Sequence, residues 1–135
     1  MLSGVRVLDL TDESGWLAGK VLAELGADVV KVEPPGGDPG RRRGPFLHGR
    51  EDPERCLRWL ALNTSKRSLV LDLETVAGRD AFRSLVARAD VLLESFAPGW
   101  LEARGLGFES LRASQPDSSV RSSTRTPAST RPPWI

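Results

Sequence analysis

The side chains that could bind an anionic ligand lie in two short basic segments. Arg41, Arg42 and Arg43 are consecutive in a long polar stretch, and Lys66-Arg67 stand just before an apolar run. Cations that converge near the ends of parallel strands would suit a ligand with phosphate groups, because guanidinium and ammonium groups donate charge-assisted hydrogen bonds to phosphate oxygens. The alternative for the three arginines is a solvated basic run. The Lys66-Arg67 pair is better placed, where a loop enters the predicted sheet.

The sequence contains no recognisable nucleophile set. His48, the sole histidine, has no serine or cysteine motif around it and is predicted to be solvated. Cys56, the sole cysteine, cannot form an internal disulfide and is predicted to pack in a helical turn. Asp9 and Asp72 each lie inside a predicted strand, where capping or a loop hydrogen bond is the usual role. No pair of carboxylates is spaced for acid–base catalysis.

Glu33 could contact a ribose, because an acidic residue at the end of the second strand is part of a dinucleotide site. The turn after the first strand, however, reads TDESGWLAG and lacks the GxGxxG glycines that let a backbone approach a pyrophosphate. A nicotinamide or flavin site is therefore disfavoured. A solvated strand end is at least as good an interpretation of Glu33.

Alternating strands and helices must position these side chains. Aliphatic and β-branched runs predict strands over residues 5–10, 29–32, 69–73 and 91–93. Apolar residues at helical spacing predict a helix that Gly26 ends and an amphipathic helix over residues 76–89, with short helices near 100–104 and 109–113. Residues 34–55 are predicted to form a long polar loop. The strand–helix–strand order predicts an α/β domain with a mostly parallel sheet.

Composition limits the function classes. The 135 residues carry a net charge of +1, are 39% hydrophobic and 27% charged, and suggest one domain or part of one. A net charge this small gives no overall electrostatic attraction to nucleic acid or to a membrane. The sequence shows neither a signal peptide nor an apolar run long enough to span a bilayer, so a cytoplasmic protein is expected. Residues 1–113 are assigned to the α/β domain. Residues 114–135 include 13 Ser, Thr or Pro among 22 and are predicted to be disordered.

Five collinear stretches within residues 3–116 resemble the N-terminal part of the class III CoA-transferases, the group that contains formyl-CoA and carnitinyl-CoA transferases. They are GVRVLDLT (4–11), GADVVKVEPPGGDP (26–39), NTSKRSLVLDL (63–73), GRDAFRSLVARADVLLESF (78–96) and PGWLEARGLGFESLR (98–112). The family also holds acyl-CoA racemases, so transfer and racemisation both stay open. A non-catalytic CoA-binding or subunit-pairing module is a further alternative.

The resemblance implies a reaction and an assembly. These enzymes move CoA between carboxylic acids: an aspartate attacks the acyl-CoA, and a mixed anhydride and an aspartyl-CoA thioester follow. Their large domain is Rossmann-like, with helices flanking the sheet, and two chains interlock as a homodimer. The expected ligands are a CoA thioester and a carboxylic acid, with no prosthetic group, no metal, no nucleic acid and no membrane.

The resemblance also assigns CoA-binding residues by motif. They are Ser14, Lys66, Arg67, Leu71, Ser95, Phe96 and Arg104. Three departures affect this assignment. Ser95 stands where the family has asparagine, NTSKRS replaces NRNKRS, and Ala103 shifts Arg104 one position late, which is about 100° of rotation on a helix.

Length is the largest departure, because family members are much longer and their catalytic aspartate lies beyond this sequence. The tail DSSVRSSTRTPASTRPPWI also lacks the buried strand and loop that the family pattern leads one to expect. We interpret the tail as frameshifted coding sequence. This polypeptide alone is therefore expected to be inactive.

Overall fold

The computed structural model describes residues 1–113 and 121–123. Strands and helices alternate, as the sequence predicts for an α/β fold. The strands are β1 (Arg6–Leu10), β2 (Asp28–Glu33), β3 (Arg67–Val70), β4 (Val91–Glu94) and β5 (Arg121–Ser123). The helices are α1 (Trp16–Glu24), α2 (Leu57–Leu62), α3 (Val76–Val86) and α4 (Phe108–Ala113), with 3₁₀ turns at Pro39–Arg42, Leu47–Gly49, Pro53–Arg55 and Glu102–Arg104.

The sheet is parallel throughout, in the order β3-β2-β1-β4-β5. Leu8 of β1 is opposite Val30 of β2 on one side and Leu92 of β4 on the other. The chain therefore runs outward from β1 to β3 and then returns to the other side of β1 with β4. This change of direction creates a switch point between β1 and β4, which is where open α/β sheets bind their ligands.

Helices cover both faces of the sheet, because successive strand residues point to opposite faces. On one face Leu8 packs with Phe82 and Val86 of α3 in a cluster of buried apolar side chains. On the other face Val7 packs with Val29, Leu93 and the α1 residue Ala23. Burial of these two clusters holds the strands in register and leaves the strand ends to the loops.

The third strand starts two residues earlier and ends three residues earlier than predicted. The sequence predicts residues 69–73, whereas β3 is Arg67–Val70 and its last pair with β2 is Val70 with Glu33. The N–H of Leu71 still donates to the carbonyl oxygen of Glu33 at 2.9 Å, but Pro35, the next residue beyond β2 that faces β3, has no N–H with which to continue the ladder. The pairing of the two strands therefore ends here, and the chain enters a loop.

The polar segment after β2 is more ordered than a long loop. It holds three of the 3₁₀ turns, and α2 follows it where the sequence suggests only a packed turn near Cys56. The packing predicted for Cys56 is confirmed, because its side chain is fully buried beside Trp16 and Trp59. His48 is exposed, as predicted.

Strand β5 lies in the segment that the sequence predicts to be disordered. Residues 121–123 pair in parallel with β4, whose outer edge presents free N–H and C=O groups to a neighbouring strand. The remaining residues of 114–135, and with them the rest of that prediction, lie outside the described part of the chain. Among the described helices, none has the length and apolar character needed to cross a membrane.

Candidate functional site

A cavity of about 940 Å³ opens at the carboxyl-terminal edge of the sheet. The segments that follow β1, β2, β3 and β4 all contribute to it, together with α2. The turn after β1 contributes mostly polar residues, whereas Leu71, Phe96 and Trp100 line the cavity from the segments after β3 and β4. The lining includes the side chains of Glu13, Ser14, Arg43, Arg58, Leu71, Glu74, Phe96 and Trp100.

Hydrogen bonds to Asp12 join the two loops at the switch point. The backbone N–H of Asp12 donates to Ser95 Oγ at 2.8 Å, and Ser95 Oγ lies 3.0 Å from Asp12 Oδ1. Ser14 donates to the same Oδ1 from its N–H at 2.9 Å and from its hydroxyl at 2.6 Å. Two predicted site residues, Ser14 and Ser95, are thus brought together around one carboxylate.

Buried charges lie below the cavity. Lys66 Nζ donates to Asp9 Oδ2, to the carbonyl of Trp16 and to Asn63 Oδ1, each at 2.8 Å. Burial lowers the pKa of Lys66 from its usual value, and the neighbouring Asp9 carboxylate opposes that change. All the donors of this ammonium group are engaged inside the fold, so Lys66 holds α1 to β1 below the cavity.

A second buried lysine supports the cavity floor. Lys31 Nζ donates to the carbonyl oxygens of Thr11 and Asp9 and lies 3.7 Å from both Asp9 Oδ1 and Asp38 Oδ2. Asp9 also accepts the N–H and the hydroxyl of Thr11, which confirms the loop hydrogen bond that the sequence suggests for it. The floor thus ties the ends of β1 and β2 together.

Glu33 and Arg41 are both buried, so the solvated positions considered for them are wrong. Glu33 accepts two bonds from Arg41, one from Ser68 Oγ at 2.6 Å and one from the N–H of Asp38 at 2.8 Å. Burial raises the pKa of this carboxyl, but these donors outweigh burial and the pKa is lowered overall. The Arg41 guanidinium also lies 3.8 Å from the ring centre of Trp59. Arg42 and Arg43 are exposed, as predicted for a solvated run.

Aromatic side chains form the opposite wall. Phe96 stacks on Trp100 with ring centres 4.1 Å apart and planes 11° from parallel. Arg104 covers the other face of Trp100 at 3.6 Å and forms an ion pair with Glu74 at 2.6 Å. Despite its one-position shift, Arg104 therefore lies beside the cavity, where it supports two side chains that line it.

The structure separates the seven predicted site residues into groups. Ser14, Leu71 and Phe96 line the cavity, whereas Ser95 and Arg104 contact side chains that line it. Lys66 is below the floor. Arg67 is at the amino-terminal edge of the sheet, where it donates to both carboxylate oxygens of Asp28 at 2.7 Å, away from the cavity.

Glu13, Arg58 and Trp100 are among the lining side chains that the sequence assignment lacks. Trp100 follows Phe96 by four residues, but a turn and not a helix joins them, so no helical spacing signals their contact. Arg58 belongs to α2, of which the sequence predicts only a helical turn near Cys56.

Comparison with known proteins identifies the family. The sequence profile of CoA-transferase family III matches residues 2–117, which include every segment that lines the cavity. The chain belongs to this family. The resemblance deduced from five sequence stretches is thereby confirmed.

Individual relatives agree in sequence and fold. Succinyl-CoA:(R)-benzylsuccinate CoA-transferase subunit BbsE of Thauera aromatica is 46% identical over 109 residues, covering 81% of this chain and 27% of that protein. Succinyl-CoA:mesaconate CoA-transferase of Haloarcula hispanica is 46% identical over 124 residues, covering 89% and 31%. The orthorhombic crystal structure of Rv3272 from Mycobacterium tuberculosis superposes with a TM-score of 0.80 at 38% identity, covering 97% and 37%.

The fold is that of known family members, which confirms the predicted α/β class. A CAIB/BAIF family protein from Brucella suis matches 90% of the chain with a TM-score of 0.78 and 40% identity. This chain spans roughly a third of the length of the relatives that it matches.

Proposed function

We propose that the cavity binds the CoA moiety of an acyl-CoA, as part of a protein that transfers CoA between an acyl-CoA and a carboxylic acid. The observation that carries the proposal is that the match to CoA-transferase family III includes every segment around the cavity. Relatives named for succinyl-CoA suggest succinyl-CoA as the first donor to test.

The lining suits such a ligand. CoA combines phosphates and an adenine ring with a long, mostly uncharged pantetheine arm. The cavity offers two exposed arginines on one wall and the Phe96–Trp100 stack on the other. Its volume of about 940 Å³ is within the usual range of small-molecule sites.

The attacking carboxylate is proposed to come from outside residues 1–113. In the described part of the chain, the buried carboxylates at the cavity are engaged in ion pairs: Glu33 with Arg41, and Asp38 with Lys31. Glu74 is exposed but pairs with Arg104, and Glu13 lies near Arg43 and Arg58. The Asp12 and Asp72 carboxylates accept hydrogen bonds within their own loops or from the neighbouring loop. A carboxylate that a guanidinium or ammonium group neutralises is a poor nucleophile, since the cation stabilises its ground state. We therefore expect the 135-residue polypeptide to bind CoA without turning it over.

The buried Glu33 also counts against the dinucleotide alternative. In a nicotinamide site the acid at the end of the second strand must reach the ribose hydroxyls. Here that carboxylate is 2% exposed and both its oxygens accept bonds from Arg41. It has no accessible oxygen to offer a ribose.

The whole protein is proposed to be a cytoplasmic homodimer, as the family resemblance implies. Exposed apolar side chains on α1 and α2 are consistent with a further contact surface: Leu17 and Val21 are 58% and 46% exposed, and Leu60 is 46% exposed. Single exposed apolar residues are common, but these lie on neighbouring helices.

Hydrogen exchange with and without CoA tests the proposed function. Binding should protect amides in residues 63–73 and 94–104, which flank the cavity, and leave the amides of α3 unchanged as the internal control. Unchanged exchange in both flanking segments at saturating CoA would contradict the proposal. In a parallel assay with succinyl-CoA and a carboxylate acceptor, CoA exchange by this polypeptide would contradict the proposed position of the nucleophile.

A further inference from the structure

Two arginines from separate segments converge on one carboxylate at the cavity. Glu13, in the turn between β1 and α1, has its Oε2 3.4 Å from Nη1 of Arg43 and 3.4 Å from Nη1 of Arg58. Arg43 directly follows the 3₁₀ turn Pro39–Arg42, and Arg58 belongs to α2. All three side chains line the cavity.

The contacts leave Glu13 poorly satisfied. Distances of 3.4 Å are long for charge-assisted N–H···O bonds, which are typically about 2.7–2.9 Å. The second oxygen, Oε1, is buried and has no hydrogen-bond partner in the described structure. A buried acceptor without a donor costs about 1–3 kcal/mol. Glu13 is therefore an acceptor that a better anion can displace from the two guanidinium groups.

The other charged side chains of the lining have partners of their own. Asp12 accepts hydrogen bonds from Ser14 and Ser95, and Asp72 accepts one from the N–H of Glu74. Glu33, Asp38 and Glu74 each pair with a cation. Lys31 is 2% exposed and donates to backbone carbonyls below the floor. Arg43 and Arg58 are the arginines among the described lining residues, and their side chains are 67% and 52% exposed, so they can reach an incoming ligand.

We propose that Arg43 and Arg58 bind a phosphate group of the CoA ligand, and that Glu13 takes the place of that phosphate in the free protein. This inference rests on the proposed function, which it deepens by naming the anion-binding residues. A phosphate offers more charge and more acceptor oxygens than a carboxylate, and guanidinium groups match its geometry. On binding, Glu13 leaves the arginines, and both of its oxygens become hydrated.

Calorimetric titration of the 135-residue chain with CoA tests the inference through effects of opposite sign. Arg43→Gln and Arg58→Gln should each weaken binding by about tenfold, the scale of one charge-assisted hydrogen bond. Glu13→Gln removes the competing charge and should tighten binding by about threefold, the scale of one exposed charge interaction. Loss of fold could weaken binding but could not tighten it.

Arg42→Gln is the matched control. It removes the same charge from the neighbouring position, but Arg42 donates to the carbonyl of Gly36 and does not line the cavity. Its CoA affinity should equal that of the wild type. Thermal unfolding of each variant checks that the fold is retained.

The titrations distinguish failure of the arginine site from failure of the proposed CoA binding. If CoA binds but both arginine variants bind as the wild type does, or if Glu13→Gln weakens binding, the inference is overturned and the proposed function stands. If CoA does not bind, inorganic pyrophosphate is the second probe. Pyrophosphate binding that Arg43→Gln abolishes would keep the anion site and contradict the CoA function, whereas binding of neither probe overturns both.

Dephospho-CoA distinguishes the two sources of phosphate in CoA. If Arg43→Gln and Arg58→Gln weaken the binding of dephospho-CoA as much as the binding of CoA, the arginines contact the diphosphate. If their effect disappears with dephospho-CoA, the contact is with the 3′-phosphate.

Discussion

Arg41 donates to both carboxylate oxygens of Glu33, from Nε to Oε2 at 2.7 Å and from Nη2 to Oε1 at 2.8 Å. Glu33 ends β2 and Arg41 lies in the first 3₁₀ turn of the following segment, so this buried pair folds the segment back against the strand end. The segment in turn lines the cavity and carries Arg43. One ion pair therefore positions one wall of the site.

Glu33→Gln should reduce the free energy of unfolding by about 3 kcal/mol at pH 7, because it removes the buried anion of Arg41 and leaves the ion pair at 3.1 Å with Glu54, whose side chain is 80% exposed. The pKa of Glu33 is lowered in the folded state, so its contribution to stability is complete above the ordinary value of 4.5 and is lost as pH falls through the folded pKa. The difference between wild type and variant should therefore shrink below pH 4.5. Denaturant unfolding at pH 7 and at lower pH measures it.

The exposed pair Arg67–Asp28 is the control for this experiment. It has the same bidentate form, but its side chains are 69% and 47% exposed. Arg67→Gln should cost less than about 1 kcal/mol, because water screens a surface pair. Equal losses for the two variants would contradict the role given to Glu33 and Arg41.

Gly19→Ala should destabilise the protein even though alanine favours helices by about 1 kcal/mol over glycine. Gly19 is in α1, and a Cβ there would overlap Asp9 Oδ2 and lie 2.9 Å from Lys66 Nζ. These buried groups would have to move apart, at a net cost of about 2 kcal/mol, within the usual range for overpacking.

Ala18→Gly supplies the comparison, because Ala18 is the exposed neighbour of Gly19 in the same helix. The Ala18→Gly variant should lose only about 1 kcal/mol of unfolding free energy, because glycine has a lower helix propensity than alanine. Thermal or denaturant unfolding of both variants gives the answer. A more stable Gly19→Ala protein would show that α1 can move away from the Asp9–Lys66 pair.

Trp100→Leu should weaken CoA binding by about tenfold, the scale expected when a large aromatic contact is removed from a binding surface. Trp100 is stacked between Phe96 and Arg104, so leucine removes a planar wall that both neighbours hold in place. Trp100→Phe keeps an aromatic ring and should lose less affinity. Calorimetric titration measures the CoA affinities of the wild type and the two variants. Equal affinities for all three would mean that the ligand does not contact Trp100.

Residues in periodic apolar patterns were predictable from the sequence, and residues fixed by distant partners were not. Val7 and Leu8 are consecutive residues of a strand, so their side chains point to opposite faces of the sheet regardless of the neighbouring elements. Lys66 and Arg67 are adjacent and chemically similar, yet one is bonded to Asp9 inside the fold and the other to Asp28 at the surface. Which carboxylate each side chain binds depends on the residues that the folded sheet brings close to it. The local sequence pattern does not reveal those residues.

The same reason explains the cavity wall. The polar composition of residues 34–55 predicts a loop, and the buried pair between Glu33 and Arg41, eight residues apart, contributes to its order. The position of the site was predictable, because the carboxyl ends of parallel strands meet at one edge of the sheet. Glu13 and Arg58 were missed because only the folded segment brings them together.

Glu94→Gln should stabilise the protein at neutral pH. Glu94 ends β4 as Glu33 ends β2, and both are buried, but no cation lies within ion-pair distance of Glu94 in the described residues. Burial raises the pKa of Glu94, the N–H of Phe96 lowers it, and the charge of Glu102 raises it further, so the net direction is upward. A neutral glutamine removes the buried charge, and its oxygen can still accept the bond from Phe96.

The sign of the pH dependence is opposite to that of Glu33. With a raised folded pKa, the native state binds more protons than the unfolded state above pH 4.5, so wild-type stability falls as pH rises through the folded pKa. The gain from Glu94→Gln should be about 1 kcal/mol at neutral pH, the scale of one buried polar group, and should vanish below pH 4.5. Denaturant unfolding at both pH values measures it. A loss of stability at neutral pH would mean that the carboxylate has a favourable partner in the folded protein.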